Sequence, residues 1–214
     1  MCRNLVLSFL LLSMFDHTNS AQSNQDRRFD HADDIQGNQV TAGFVADGSR
    51  YHSDYFDFTY SLPDGFVDKT EGFKSRIQAL PRRHPDPNRF VLLHAEKRPN
   101  ESAAPVGEIT LTVDALSRYP DGVTEKDFMH TTAKSMAFAG DDVLREGKQV
   151  EVSGWNFFRA DYKINHPNSG YLSVMVAFRK NFALLWQFSA QSKEEIDSIT
   201  SSTPRRLITN SHVR

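Results

Sequence analysis

His94 and Glu96 are two residues apart inside an apolar run, and no other pair in the chain comes closer to a chemical signature. If Phe90–Glu96 is a strand, both side chains stand on one face, because successive strand residues alternate sides. One imidazole nitrogen and one carboxylate oxygen form an incomplete donor set, which a third ligand from elsewhere would have to complete. The plainer reading is a hydrogen-bonded histidine or one at an exposed strand end, and neither needs an ion. No metal or cofactor is therefore assigned. His52, His84, His130, His166 and His212 show no HExxH spacing, and His31 falls in a polar segment.

Nucleophilic chemistry finds no foothold. The sequence has no GxSxG elbow, no SxxK and no convincing serine–histidine–aspartate grouping, so no catalytic residue is assigned. The carboxylate pairs Asp141-Asp142 and Glu194-Glu195 fall at a helix exit and a helix entrance. The first reads as a turn, and the helix dipole explains the second. Arg82, Arg83, Arg89, Lys97 and Arg98 gather around the proline-rich stretch Pro81–Asn88. Stiff prolines lower the ordering cost of binding, and guanidinium forks suit carboxylate or phosphate. Arg82, Arg83 and Arg89 are accordingly the expected contacts for an unknown protein or anionic ligand. A solvated loop paired locally with Asp86 or Glu96 is the plainer alternative. Trp155, Phe157, Phe158, Tyr162, Trp186 and Phe188 read first as core, although a ligand groove would use the same residues.

The elements that must position these groups are legible from periodicity. Phe56, Phe58, Tyr60 and Leu62 alternate with polar residues and run into Pro63-Asp64-Gly65, a strand ending in a turn. Arg76–Leu80 fits a short helix or a strand equally well. Phe90–Glu96 and Ile109–Asp114 are the next strands. Thr124 with Asp127 resembles a capping box ahead of an apolar stripe through Phe128, Met129, Ala133, Met136 and Ala137, ending before Gly140. From Val150 to Thr203 the chain reads as strands, a tight turn at Lys180-Asn181 and a short helix. Ser192 caps that helix, Glu195 takes the reciprocal position and Pro204 stops it. Tyr171–Phe178 is apolar on both faces and belongs inside the sheet. Grouped strands with covering helices indicate an α+β fold, and the absence of βαβ alternation argues against a doubly wound nucleotide-binding sheet.

The residues that bear on compartment lie near the N-terminus. Arg3 followed by the apolar run Leu5–Phe15 predicts a signal peptide over residues 1–21, too short to span a bilayer. The only cysteine, Cys2, lies in that segment, so the mature chain is expected to lack disulfides, thiolate metal sites and cysteine nucleophiles. Residues 22–49 read as a disordered linker, with order beginning near Tyr51 and a single domain over residues 50–210. The expected location is periplasmic or extracellular, with no transmembrane segment in the mature chain. A net charge of −2 gives no electrostatic case for nucleic acid or an anionic membrane.

The strings YFDFTYSLPDGF (55–66), ALSRYPDGVTEKDFM (115–129), SGWNFFRADYKI (153–164) and KNFALLWQFSAQSKEEIDSI (180–199) resemble exported bacterial proteins of the PsbP-like superfamily. That superfamily includes the extrinsic protein of the oxygen-evolving complex and the Ran-binding Mog protein. The resemblance covers about Tyr51 to Ile208 and implies an α-β-α sandwich around a central antiparallel sheet. It also implies a non-enzymatic binding, assembly or accessory role with an unknown partner. No manganese- or Ran-binding residues are matched. The alternative function is a small-molecule or lipid carrier with a pocket between the sheet and the helix at Thr124–Gly140, and a hydrolase comes third.

Overall fold

The protein is described by a computed structural model over residues 39–79, 89–137, 142–165, 169–201 and 205–206, with side chains at 132–137 and 205–206 set aside. Along the chain run β1 (Phe44–Ala46), β2 (Arg50–Ser53), β3 (Phe58–Ser61), β4 (Phe66–Asp68), α1 (Thr70–Gln78), β5 (Arg89–Lys97) and β6 (Gly107–Ala115). Then come α2 (Glu125–Ala137), β7 (Asp142–Val152), β8 (Trp155–Ile164), β9 (Gly170–Arg179), β10 (Phe182–Ala190), α3 (Lys193–Ser201) and β11 (Arg205–Arg206).

The hairpin at Lys180-Asn181 forms as expected. Both residues take positive φ (47° and 65°), the geometry of a two-residue turn whose twist matches its strands. Arg179 and Phe182 close it in register, and Trp186 faces Met175 across the ladder. Ser153-Gly154 repeats the device between β7 and β8, where Val152 pairs with Trp155. Gly65, at φ 82°, ends the Pro63 turn, and the Phe66 N–H donates to the Pro63 carbonyl at 3.1 Å.

Every pairing is antiparallel. Seven strands form the main sheet in the order β4-β5-β6-β10-β9-β8-β7, and a second sheet has the order β1-β2-β3-β11. One face of the main sheet carries Leu93, Ile109, Leu111, Met175, Leu184, Trp186 and Phe188. Tyr51, Phe58 and Tyr60 of the small sheet cover it, with Ile196 and Ile199 of α3. On the other face, Phe128 and Met129 of α2 pack on Tyr162, Leu172, Val174, Val176 and Leu185. The α+β fold with a central antiparallel sheet and helices on both faces is thus present, with a small sheet added to one cover. β9 lies inside the main sheet and is buried on both faces, as its apolar pattern requires.

Three details differ from the sequence reading or decide it. Order begins before Tyr51: β1 pairs with β2, and Val40 is fully buried in the core. This corrects the linker boundary for residues 39–49, where a single deeply inserted valine outweighs the surrounding polarity. Residues 76–78 are helical, as the end of α1. β7 begins at Asp142, well ahead of Val150, because an edge strand with mostly exposed side chains shows no apolar alternation to read. The predicted signal peptide and most of the predicted linker lie outside the described residues.

Candidate functional site

The α2-covered face of the main sheet turns polar as it crosses from β9 to β5. On β10, Gln187 and Ser189 follow Ala183 and Leu185. On β6 the same face bears Glu108, Thr110, Thr112 and Asp114, every one of them at most 6% exposed. A register shift between Val91 and Leu93 inserts an extra residue into β5 and re-aims the chain. As a result His94 stands opposite Thr110, and Glu96 stands opposite Glu108. His94, Glu96 and Glu108 offer ligand-type atoms that all lie within 4.8 Å of one another.

α1 closes over this polar floor. Its first turn is stitched to β5: the Lys69 N–H donates to the His94 carbonyl at 2.8 Å, and the His94 N–H donates to Thr70 Oγ1 at 2.9 Å. Asp68 accepts the Thr70 N–H at 2.9 Å, which secures the helix start although Lys69 itself supplies no cap. Phe73 then stacks on the His94 ring at 3.9 Å and 14°. The imidazole is fully buried, with Nδ1 3.0 Å from Thr110 Oγ1 and Nε2 3.1 Å from Glu96 Oε1.

Glu96 is the hinge of the arrangement. Arg98 donates to its Oε2 from Nε at 2.7 Å and also from the guanidinium tip, while Arg76 of α1 donates to Oε1 at 3.1 Å. Burial alone would raise the carboxyl's pKa, but the hydrogen bonds from His94, Arg98 and Arg76 outweigh it and hold it at about 2. The charge is therefore permanent in neutral solution. Arg98 is pinned further by a 2.7 Å bond to the Ala103 carbonyl. Arg76 keeps 53% of its side chain exposed, with its guanidinium 5.6 Å from the Phe73 ring centre.

Outside this layer opens a cleft of about 680 Å³ lined by Gly65, Val67, Lys69, Gly72, Arg76, Glu96, Arg98, Asn100 and Glu101. Val67 is 53% exposed there and supplies an apolar patch on the wall. Chemically, the cleft offers two guanidiniums that also hold Glu96, a lysine and a small apolar contact, with the Glu101 carboxylate beside them. That set suits a carboxylate or phosphate attached to something larger.

The residues singled out in the sequence are dispersed. Arg82 and Arg83 lie outside the described residues, as do His84, His166 and His212. Arg89 does not face outward: its side chain is 19% exposed, and its guanidinium binds the buried Asp114, which also accepts from Arg118 and Tyr119. Lys97 holds Glu195 at 2.7 Å, and among the described members of that basic group only Arg98 lines the cleft. His52 pairs with Asp54, and the helix-entrance carboxylate Glu194 is exposed. Trp155, Phe157, Tyr162, Trp186 and Phe188 are core. In the first part of α2, where side chains are described, Phe128 and Met129 pack directly on the sheet. Arg76 and Glu108 were missed, because only the docking of α1 and the β5–β6 register bring them to Glu96 and His94.

No protein-family model matches this sequence, and no curated protein matches it. Among solved structures the chain is similar to the PsbP of the cyanobacterium Synechocystis sp. PCC 6803, at 13% identity and a TM-score of 0.47, over 75% of this chain and 95% of that one. It is also similar to the Ran-binding protein Mog1p of Saccharomyces cerevisiae, at 13% identity and a TM-score of 0.40, over 73% and 84%. LpqN of Mycobacterium tuberculosis, involved in cell envelope biogenesis, aligns at 13% identity and a TM-score of 0.35, over 81% and 91%. These are likenesses of chain fold, and no activity is taken from them.

Proposed function

We propose that this is an exported, non-enzymatic binding or accessory protein that holds an acidic group of a partner protein in the cleft between α1, β4 and the loop after β5. One observation carries the reading. Glu96, itself buried, clamps Arg98 and Arg76 so that two guanidiniums stand on the wall of an open cleft beside Lys69. Their orientation is set before any partner arrives, so little ordering entropy is lost on binding. Gly65 and Gly72 leave that wall without side chains at two points, which admits a partner's main chain.

The segment Pro81–Asn88, outside the described residues, follows α1 in the chain, and Arg82 and Arg83 are proposed as further contacts for the same acidic partner. Arg89 is not among these contacts, because its guanidinium holds Asp114. The test is capture from the envelope fraction of the native host, using tagged wild-type protein beside Arg76→Glu. The reading expects a specific protein that the wild type retains and the variant releases, with retention falling as salt rises. Identical captures from both proteins would overturn it.

A further inference from the structure

We infer that His94, Glu96 and Glu108 form a binding site for one divalent transition-metal ion of the zinc class, entered from the cleft. The inference concerns a different ligand from the cleft's partner and stands without it. Glu96 and Glu108 face each other across two strands, each 3% exposed, which brings two carboxyl groups to one buried spot beside His94.

The donor set is one imidazole nitrogen and two carboxylate oxygens, a combination zinc accepts with bonds of about 2.0–2.2 Å. Two such bonds at the tetrahedral angle place their ligand atoms about 3.4 Å apart. His94 Nε2 and Glu96 Oε1 are 3.1 Å apart, already close to that edge length. The rest of the trio lies within 4.8 Å, a gap that small side-chain rotations close. The backbone sets this spacing: positions 94 and 96 share a face on β5, and Glu108 is the register partner of Glu96 on β6.

The surroundings also match those of a metal-ligating histidine. Such a ring gives its second nitrogen to a fixed neighbour, which sets its tautomer. Nδ1 has Thr110 Oγ1 at 3.0 Å, and Phe73 fixes the ring plane. When the ion binds, the proton of the neutral ring sits on Nδ1 and is donated to Thr110, leaving the Nε2 lone pair for the metal. Arg98 and Arg76 then act as outer partners of a ligating carboxylate. Both guanidiniums keep part of their surface in solvent on the cleft side, Arg76 the larger part. A separate observation points to the same spot. Ser189 stands opposite Glu108 and Gln187 opposite Thr110 on this face, each 3% exposed, yet Ser189 Oγ and Gln187 Nε2 find no hydrogen-bond partner among the described residues. A hydrated ion at the trio supplies water to both.

The test is equilibrium dialysis of the full-length, chelator-treated protein against ZnCl2, with bound zinc counted per chain. One equivalent is expected. Glu108→Gln keeps shape but loses charge, and it should weaken binding by at least the roughly 10–100-fold that losing even an outer partner costs. His52→Ala, which removes the exposed His52–Asp54 pair, should bind as the wild type does. Absence of zinc binding by the wild type overturns the site, as does a folded Glu108→Gln that still binds one equivalent undiminished. Should that variant fail to fold, X-ray absorption of the zinc-loaded wild type decides. One imidazole among oxygen ligands supports the site, and a shell with no imidazole or with several refutes it.

Discussion

Replacing Trp186 with alanine should be among the most damaging single changes in this chain, and the structure says roughly how damaging. The side chain is fully buried on β10, between its register partners Leu111 and Met175. It joins the two sheets, with ring centres 4.8 Å from Tyr60, 5.9 Å from Phe58 and 5.8 Å from the stacked Phe188. Truncating a buried Trp costs about 3–5 kcal/mol, and the strands on either side cannot collapse into the gap. Losing contacts to the small sheet puts the expected cost in the upper half of that range. A second effect has the opposite sign. The indole Nε1 finds no acceptor among the described residues, and an unpaired buried donor costs about 1–3 kcal/mol. Trp186→Phe removes that donor while keeping a ring in the site, so it should cost only about 1 kcal/mol. Urea unfolding followed by far-UV circular dichroism, with the slope unchanged between variants, measures both. The reasoning fails if the alanine variant loses less than about 1 kcal/mol, or if phenylalanine costs as much as alanine.

Further outcomes follow from the same structure. Arg82→Ala with Arg83→Ala should leave the thermal midpoint nearly unchanged, because solvated ion pairs contribute about 0–1 kcal/mol, while weakening capture of the partner; a collapse in stability would make those arginines structural. Hydrogen bonds from the Thr124 hydroxyl and backbone hold the Asp127 carboxyl below its ordinary value. The capping box is therefore intact above the ordinary aspartate pKa of about 4 and is undone as pH falls through the lower folded value. The protection of the first-turn amides of α2, taken relative to the intrinsic exchange rate at each pH, should fall in that acid window in the wild type and show no such fall in Asp127→Asn. Intact-mass measurement of protein made in its own host should show removal of residues 1–21, and a product retaining Cys2 would end the export reading.

Much of the architecture was legible because it rests on local pattern. Lys180-Asn181 announced its hairpin, and Thr124 and Asp127 exchange the bonds their spacing predicts: Asp127 N–H to Thr124 Oγ1 at 3.2 Å, and Thr124 N–H to Asp127 Oδ2 at 3.0 Å. The second cap was half right. Ser192 accepts the Glu195 N–H at 3.1 Å, but the Glu195 carboxylate goes to Lys97, a partner distant in sequence. The same limit governed the site. His94 and Glu96 share a face by a rule of spacing alone. Glu108 joins them only through the β5–β6 register and its bulge, and Arg76 only through the docking of α1. Arg89 looked free because its partner, Asp114, sits on a neighbouring strand.

The cleft claim is tested most directly by a photo-cross-linking residue placed at Gly72, where an added side chain meets nothing within 4 Å. Irradiation in the native host should join the protein to one envelope partner from that position, and the adduct should vanish when Arg76→Glu is added. The same residue at the exposed Glu151, on β7 at the opposite edge of the main sheet, should give none. A partner captured from Glu151 and not from Gly72 would contradict the account.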